Sequence, residues 1–354
     1  MNSRSITALG LCLFWILNLG AIRVLSPEQL GVYIQKKLRF NSNTLRLNEK
    51  QIGPEGARFL ANSPLLKNVK RLLIYKGAIG DEGVQYLAQS ENLGNLKELF
   101  IETDHLTDNG AIALAQSKGF THLEVLNLYN NKIGDEGAEA LARSKNLPNL
   151  LDLNLNYNQV GDRGARLLAQ SVPLAGLQTL ELTYNKLGPQ GLLDLEVFRF
   201  KRRLETWHQE GRLSNLDKYY IGDLGVKLLL QSPYIKNIEE LNLSHNQLTD
   251  VSAEAIANSP NVSHIKTLNL SGNRIGDRGA KALAKSPTLK GLKILDLNYN
   301  EIGNDGAFAL AQSTVVQPLE TLKLGQNKIG DDGARALEES PNLKNLIYPI
   351  FGYY

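Results

Sequence analysis

The feature that most constrains this chain is a spacing. An aliphatic residue precedes a Gly-Asp-like turn at Ile52, Ile79, Leu106, Ile133, Val160, Leu187, Ile221, Leu248, Ile275, Ile302 and Ile329, and every step is 27 residues except Leu187 to Ile221, which is 34. A period this constant identifies a repeat array, in which each unit is one supersecondary element and stacked neighbours supply the core. Eleven coils are predicted, one of them carrying a seven-residue insertion.

Each coil opens with an L-x-L-x-x-N element, seen as Leu126-Asn127-Leu128-Tyr129-Asn130-Asn131 and again from Leu153, Leu268 and Leu295. Alternation turns the two leucines inward and the intervening residues outward, the pattern of a short half-buried strand. The column Asn131, Asn158, Asn185, Asn246, Asn273, Asn300 and Asn327 falls where the chain leaves the strand. An amide there can satisfy backbone groups that the bend leaves unpaired. A helix of the form G-D-E-G-A-x-A-L-A-x-S follows, as in Gly134 to Ser144 and Gly276 to Ser286. Asp81, Asp108, Asp135, Asp162, Asp223, Asp250, Asp277 and Asp331 stand at the helix starts and read as caps of their own helices, not as catalytic groups. Glycine fills the next-but-one position in ten of the eleven coils, which predicts a close approach to the neighbouring coil. Strands stack more closely than helices, so the array is expected to curve with its strands on the concave side.

The coils resemble leucine-rich repeats of the ribonuclease-inhibitor-like class over about residues 44–346. Their G-A-x-A-L-A segments, Gly110 to Ala115, Gly137 to Ala142, Gly279 to Ala284 and Gly306 to Ala311, are similar to the GALA-type and NOD-like-receptor subgroup and to Ran GTPase-activating proteins. The resemblance implies an α/β solenoid, a horseshoe with a parallel sheet on the concave face and helices on the convex face. It implies a protein partner held by a non-enzymatic scaffold. It leaves open a regulator or adaptor of an enzyme, GTPase-activating-like or ubiquitin-ligase-adaptor-like, including one delivered as a secreted effector, and also a glycan-binding or lipid-binding surface.

Outside the array, residues 1–22 carry Arg4 and then an apolar run from Ile6 to about Ile22, which reads as a signal peptide or membrane anchor. Export to the periplasm, cell surface or medium is expected, with membrane association through residues 6–22 as the alternative. Residues 25–43 read as an amino-terminal cap helix, because Ser26-Pro27-Glu28-Gln29 combines an N-cap, a first-turn proline and a capping-box Gln. Residues 347–354 form an aromatic tail with Tyr348, Ile350, Phe351, Tyr353 and Tyr354, expected to fold over the last coil.

Composition narrows the function. Hydrophobic residues make up 42% and charged residues 21%, the balance of a folded soluble chain, and the net charge of +3 is spread without a basic stripe, which argues against nucleic acid. A single cysteine, Cys12, closes no internal disulfide. His105, His122, His208, His245 and His264 occupy unrelated repeat positions, so no metal-ligand spacing and no cofactor is read. Asp217, Ser244 and His245 on adjacent coils make the nearest approach to a catalytic group, and no catalytic residue is assigned. The chain is expected to act as a monomer.

Binding information should sit at strand positions that folding does not require to be apolar. Tyr129, Tyr157 and Tyr184 fall on three consecutive coils and should form one aromatic patch, with Tyr75, Phe100, His245 and Tyr299 as further exposed candidates. The long coil, residues 187–220, supplies a second candidate. There Leu193, Val197, Phe200 and Leu204 make a helical stripe beside Arg202, Arg203 and Trp207, a partner site unless the segment folds back on its own solenoid.

Overall fold

The computed structural model describes residues 25–347 and residue 350. The predicted export segment 1–22, and Tyr348, Phe351, Tyr353 and Tyr354 of the tail, lie outside the described residues. Packing divides the chain into two compact units, Met1–Arg199 and Phe200–Tyr354.

The first unit runs α1 (Pro27–Phe40), β1 (Thr44–Asn48), α2 (Gly53–Asn62), β2 (Arg71–Tyr75), α3 (Gly80–Ala88), β3 (Glu98–Glu102), α4 (Asp108–Gln116), β4 (Val125–Asn127), α5 (Asp135–Ala142), β5 (Asp152–Asn154), α6 (Asp162–Ala169) and β6 (Thr179–Glu181). It ends in the first turns of α7 (Pro189–Gln209). The six strands form one parallel sheet in chain order. Register follows the repeat, so that Leu45, Leu72, Leu99, Leu126, Leu153 and Leu180 line up as one buried column. Stacked leucines of this kind are worth roughly 2–5 kcal/mol each against truncation to alanine. Helix α1 packs on β1 and α2 through fully buried Leu30 and Ile34, and its first turn is closed by the predicted capping box between Ser26 and Gln29.

The second unit holds the rest of α7, then α8 (Gly222–Gln231), β7 (Glu240–Asn242), α9 (Asp250–Asn258), β8 (Thr267–Asn269), α10 (Asp277–Ala284), β9 (Ile294–Asp296), α11 (Asn304–Ala311), β10 (Thr321–Lys323) and α12 (Asp331–Glu338). Its sheet has four parallel strands, β7 to β10, and Asn215 adds a single bridge to Asn242. Instead of the one uninterrupted sheet expected, there are therefore two. After α7 the chain turns with the N–H of Arg212 on Trp207 O and that of Asn215 on Arg212 O, so groups that a strand would pair are spent in the turn. Beyond β10 the ladder continues at Ile350, which is buried and whose carbonyl accepts from Leu324 N at 3.0 Å.

The aspartate column overturns one expectation. Asp135 opens α5, yet its Oδ1 accepts from Gly161 N at 2.7 Å and Gly164 N at 2.9 Å, both at the start of α6. Asp108 treats Gly134 and Gly137 in the same way, as does Asp277 for Gly303 and Gly306. Each carboxylate caps the helix of the next coil, while the helices of Asp135 and Asp277 themselves have Gly134 and Gly276 at the N-cap with no side-chain bond and that of Asp108 is capped by Thr107. The glycine column follows from this. A Cβ at Gly164 would stand 2.7 Å from Asp135 Oδ1 and 2.9 Å from Ala138 Cβ, which is the close approach the sequence predicted. Where Ser252 replaces the glycine, its hydroxyl donates to Asp223. At the other helix end the traffic reverses, since Ser144 Oγ donates to Ala115 O and Ser286 Oγ to Ala257 O, each at 2.6 Å. Orphan groups at both ends of a helix are thus satisfied by its neighbours.

Candidate functional site

The outward residues of the strands and of the bend that follows them form the face on which the tyrosines lie. In β4 and β5 the side chains of Asn127 and Asn154 accept from the N–H two residues on, at 2.9 and 2.8 Å, and turn the chain off the strand. The next bend is held from below by the asparagine column. Asn158 Nδ2 donates to the carbonyls of Leu128, Leu155 and Asn156, and its Oδ1 accepts from Ile133 N at 2.9 Å. The structural role expected for this column is what the hydrogen bonds show.

Between these two anchors one residue per coil adopts the left-handed region, a conformation the sequence pattern does not announce. It occurs at Glu49, Lys76, Thr103, Asn130, Tyr157, Tyr184, Lys218, His245, Tyr299 and Gln326, with φ from +54 to +61, and at Gly272 with φ +66. For a side-chain-bearing residue this costs about 1–2 kcal/mol. The N–H groups of this column extend the ladder beyond the strand, that of Tyr157 reaching Thr183 O at 2.9 Å and that of Asn130 reaching Asn156 O at 2.9 Å.

Tyr157 and Tyr184 are therefore fixed by their backbone, and the rings meet as the spacing predicted. Tyr157 stacks on Tyr184 with ring centres 4.3 Å apart, and Tyr129 meets Tyr157 edge-on at 5.1 Å. Tyr184 is 68% exposed and Tyr157 41%, while Tyr129 is half-buried. On the same sheet Tyr75 and Phe100 are half-buried and outward-facing, with Lys76 Nζ 4.9 Å from the centre of the Tyr75 ring. Register sets Glu102 directly beside Tyr75, and the period sets Tyr129 one coil further on. Asn127 Nδ2 donates to Glu102 Oε1 at 2.9 Å, and burial raises this carboxyl above its ordinary 4.5. Sequence reasoning passed over Glu102, because within the column Tyr75, Glu102, Tyr129 it singled out only the aromatic members.

A family model described as Leucine Rich repeat matches residues 121–142, 146–169, 177–195, 234–257, 263–284, 291–311 and 317–337. The chain is a leucine-rich-repeat protein. Among solved structures this leucine-rich-repeat protein is similar to the Rad7 and Elc1 complex in yeast, at 17% identity over 93% of this chain and 88% of that one, with a TM-score of 0.32. It is also similar to an internalin, InlF, of Listeria monocytogenes, at 19% identity over 96% and 92% of the two chains and a TM-score of 0.27. A second internalin of that organism, internalin C2, shows 22% identity over 73% and 81% and a TM-score of 0.24. At such values none of them bears on what this chain binds. No curated protein matches the sequence.

Elsewhere on the leucine-rich-repeat protein, the second predicted patch does not assemble. Leu193 is 41% exposed and Val197 half-buried in the first unit, but Phe200, Leu204 and Trp207 are core residues of the second. Phe200 meets Trp207 edge-on at 5.8 Å, Trp207 meets Tyr219 at 4.8 Å, and a Cβ at Gly225 would come within 2.9 Å of the Phe200 ring. The stripe is apolar because α7 packs with it. Arg203 lies over the Phe200 and Trp207 rings, and Arg202 pairs with Glu205 at 2.9 Å.

His245 and Tyr299 are exposed on the second unit's face, Tyr299 by 60%. Ser244 Oγ and His245 Nδ1 both bond Asp217 Oδ1, at 2.7 and 2.8 Å, so the hydroxyl is directed at a carboxylate. Burial pushes the Asp217 carboxyl up, but these two bonds together with the neighbouring Lys218 charge outweigh it and the net shift is downward from 3.8. The imidazole lies over Gly272, where an added Cβ would be 2.4 Å from His245 Cδ2. Among the described residues no cluster of His, Cys, Asp or Glu could hold a metal ion, and no helix is long and apolar enough to cross a membrane.

Proposed function

We propose that this protein is an exported, monomeric, non-enzymatic scaffold of the ribonuclease-inhibitor-like leucine-rich-repeat class that holds a protein partner on the strand face of its first unit. The reading rests on one observation, the exposed ladder of Tyr129, Tyr157 and Tyr184. Tyrosine offers a large, rigid contact area with a polar tip at small entropic cost, the chemistry of interface hot spots. The αL backbone beneath Tyr157 and Tyr184 removes further freedom before any partner arrives. Leucine-rich-repeat proteins generally act in protein–protein interaction. The interspersed charge favours a protein over nucleic acid.

Affinity capture with the wild-type chain, against a variant carrying Tyr129→Ala, Tyr157→Ala and Tyr184→Ala together, tests the reading. Capture should be lost while the circular-dichroism melt persists, and equal capture by the variant sinks it. Export predicts a mature chain beginning near residue 22, which mass spectrometry of the native amino terminus reads directly; an intact start at Met1 contradicts cleavage.

A further inference from the structure

We propose that Glu102, between Tyr75 and Tyr129, is the cation-binding subsite of this face and takes an arginine side chain of the partner. The inference rests on the binding role assigned to the same face and names the chemistry that role uses.

Three facts about the neighbourhood carry it. First, register places Glu102 beside Tyr75, and the N–H of Thr103 on Tyr129 O at 3.1 Å brings Tyr129 alongside on the following coil, just past the end of β4, so Glu102 lies between tyrosines of the two neighbouring coils. Leu73 and Phe100, paired with each other two residues earlier on the same face, make the floor beside it apolar and half-buried. Second, Glu102 has one hydrogen bond, from Asn127 Nδ2 to Oε1, and among the described residues no lysine, arginine or histidine forms an ion pair with it. Its sheet neighbours show the usual alternative, since Glu98 is paired with Arg71 at 2.7 Å and Glu124 with Lys97. Third, the nearby cation Lys76 is engaged over the Tyr75 ring and leaves the carboxylate alone.

A carboxylate kept partly out of water with no counter-charge is held at a cost that an incoming cation removes. The aromatic side chains select which cation. A guanidinium stacks on ring faces and donates in its own plane, so it can lie against Tyr75 or Tyr129 while an N–H reaches Oε2. An ammonium has the charge without the plane. Citrulline has the plane without the charge.

The test uses the full chain and three amidated tripeptides, Ala-Arg-Ala, Ala-Lys-Ala and Ala-citrulline-Ala, titrated by NMR with the ring resonances of Tyr75 and Tyr129 as reporters. Binding should follow the order arginine, lysine, citrulline. Glu102→Gln should weaken the arginine peptide about ten-fold, the loss expected for one charge-assisted hydrogen bond. Gln keeps the carbonyl oxygen that Asn127 bonds, so its thermal midpoint should hold or rise, which separates lost recognition from lost folding. Glu98→Gln, a change in a carboxylate that already has its cation, should leave the titration unaltered. Equal binding of arginine and citrulline peptides, or an unchanged titration in Glu102→Gln, overturns the subsite. If that happens while the triple tyrosine variant still loses capture, the binding role stands and only its chemistry is wrong; if the triple variant also captures normally, the role itself falls.

Discussion

The first three coils and the three that follow share one period and one leucine column but close their bends differently. In the later coils Asn131, Asn158 and Asn185 occupy the bend, and each donates its amide to three carbonyls. In the earlier coils the same positions hold Lys50, Gly77 and Asp104. Coil one substitutes a backbone group, with Gly77 O accepting from both Ile52 N and Gly53 N at 3.0 Å. The strands differ in step. β1, β2 and β3 run for five residues and present Arg46, Leu73 and Phe100, whereas β4 and β5 stop after three at Asn127 and Asn154. β6, which has Glu181 there, pairs over the three residues that β5 offers. Leucines alone settle where a strand lies. Amides settle where it ends, and so how much apolar face it leaves open.

Asp104 is the seam between the two regimes, and it carries a buried oxygen with no hydrogen-bond partner. It is fully buried in an asparagine's place, with Oδ1 accepting from Ile79 N at 3.1 Å and Oδ2 without a hydrogen-bond partner. Burial pushes its carboxyl above the ordinary 3.8 despite backbone donors from Ile79, Gly77 and Ala78. A protonated Oδ2 could donate as an asparagine amide does; an ionised one cannot.

Three changes break or sharpen this contrast. The largest effect is expected for Asn158→Ala, which leaves the buried Ile133 N–H without its partner and takes one of two donors from the carbonyls of Leu128, Leu155 and Asn156, and should cost roughly 3 kcal/mol in chemical denaturation. A loss below a third of that would mean water or relaxation replaces the amide. Next, Asp104→Asn should extend the ladder and stabilise the fold by about 1–2 kcal/mol at pH 7. The sign depends on pH. A carboxyl whose folded value is raised contributes its stability in full below 3.8 and loses it as pH rises through the raised value, so the wild type should weaken over that interval and the variant should not. Equal pH profiles for the two proteins would remove Asp104 as the cause. The smallest effect belongs to Asp135→Ala, which uncaps α6 across the coil boundary and should cost about 1 kcal/mol. Amide exchange should then speed up at Gly161 and Gly164 and not in α5; faster exchange in α5 instead would restore the own-helix cap that the sequence suggested.

How much of this was legible in the chain depends on how far each interaction reaches. The strand, the bend and the helix of a coil are written in local periodicity, so Leu126, Asn131 and Ala138 were placed correctly. The target of Asp135 lies 26 and 29 residues away, and nothing in the one-dimensional pattern distinguishes capping its own helix from capping the next. The apolar stripe of α7 was visible, but Phe200, Leu204 and Trp207 look the same whether a partner or the chain itself covers them. Tyr129, Tyr157 and Tyr184 were found because they fall at outward positions of three consecutive coils. The left-handed backbone under Tyr157 and Tyr184 went unread, since that conformation usually advertises itself with glycine.

The reach of the aspartate caps has a consequence for how such a chain can change length. The capping carboxylates from Asp81 to Asp277 each serve the coil after them, and Ser90, Ser117, Ser144, Ser171, Ser286, Ser313 and Ser340 the coil before, so a whole coil of this kind can be copied or removed and each cut still joins a donor to an acceptor of the same kind. A fractional insertion would strand both. The seven extra residues occur in the coil that begins its helix with Pro189, one of two, with that of Pro54, that offer proline where the others present an Asp or Asn. The coils that follow these prolines begin their helices on Gly80 and Gly222, at φ +58 and +59, in place of an extended N-cap. Irregular length has been admitted where the chain of hand-to-hand capping was already broken.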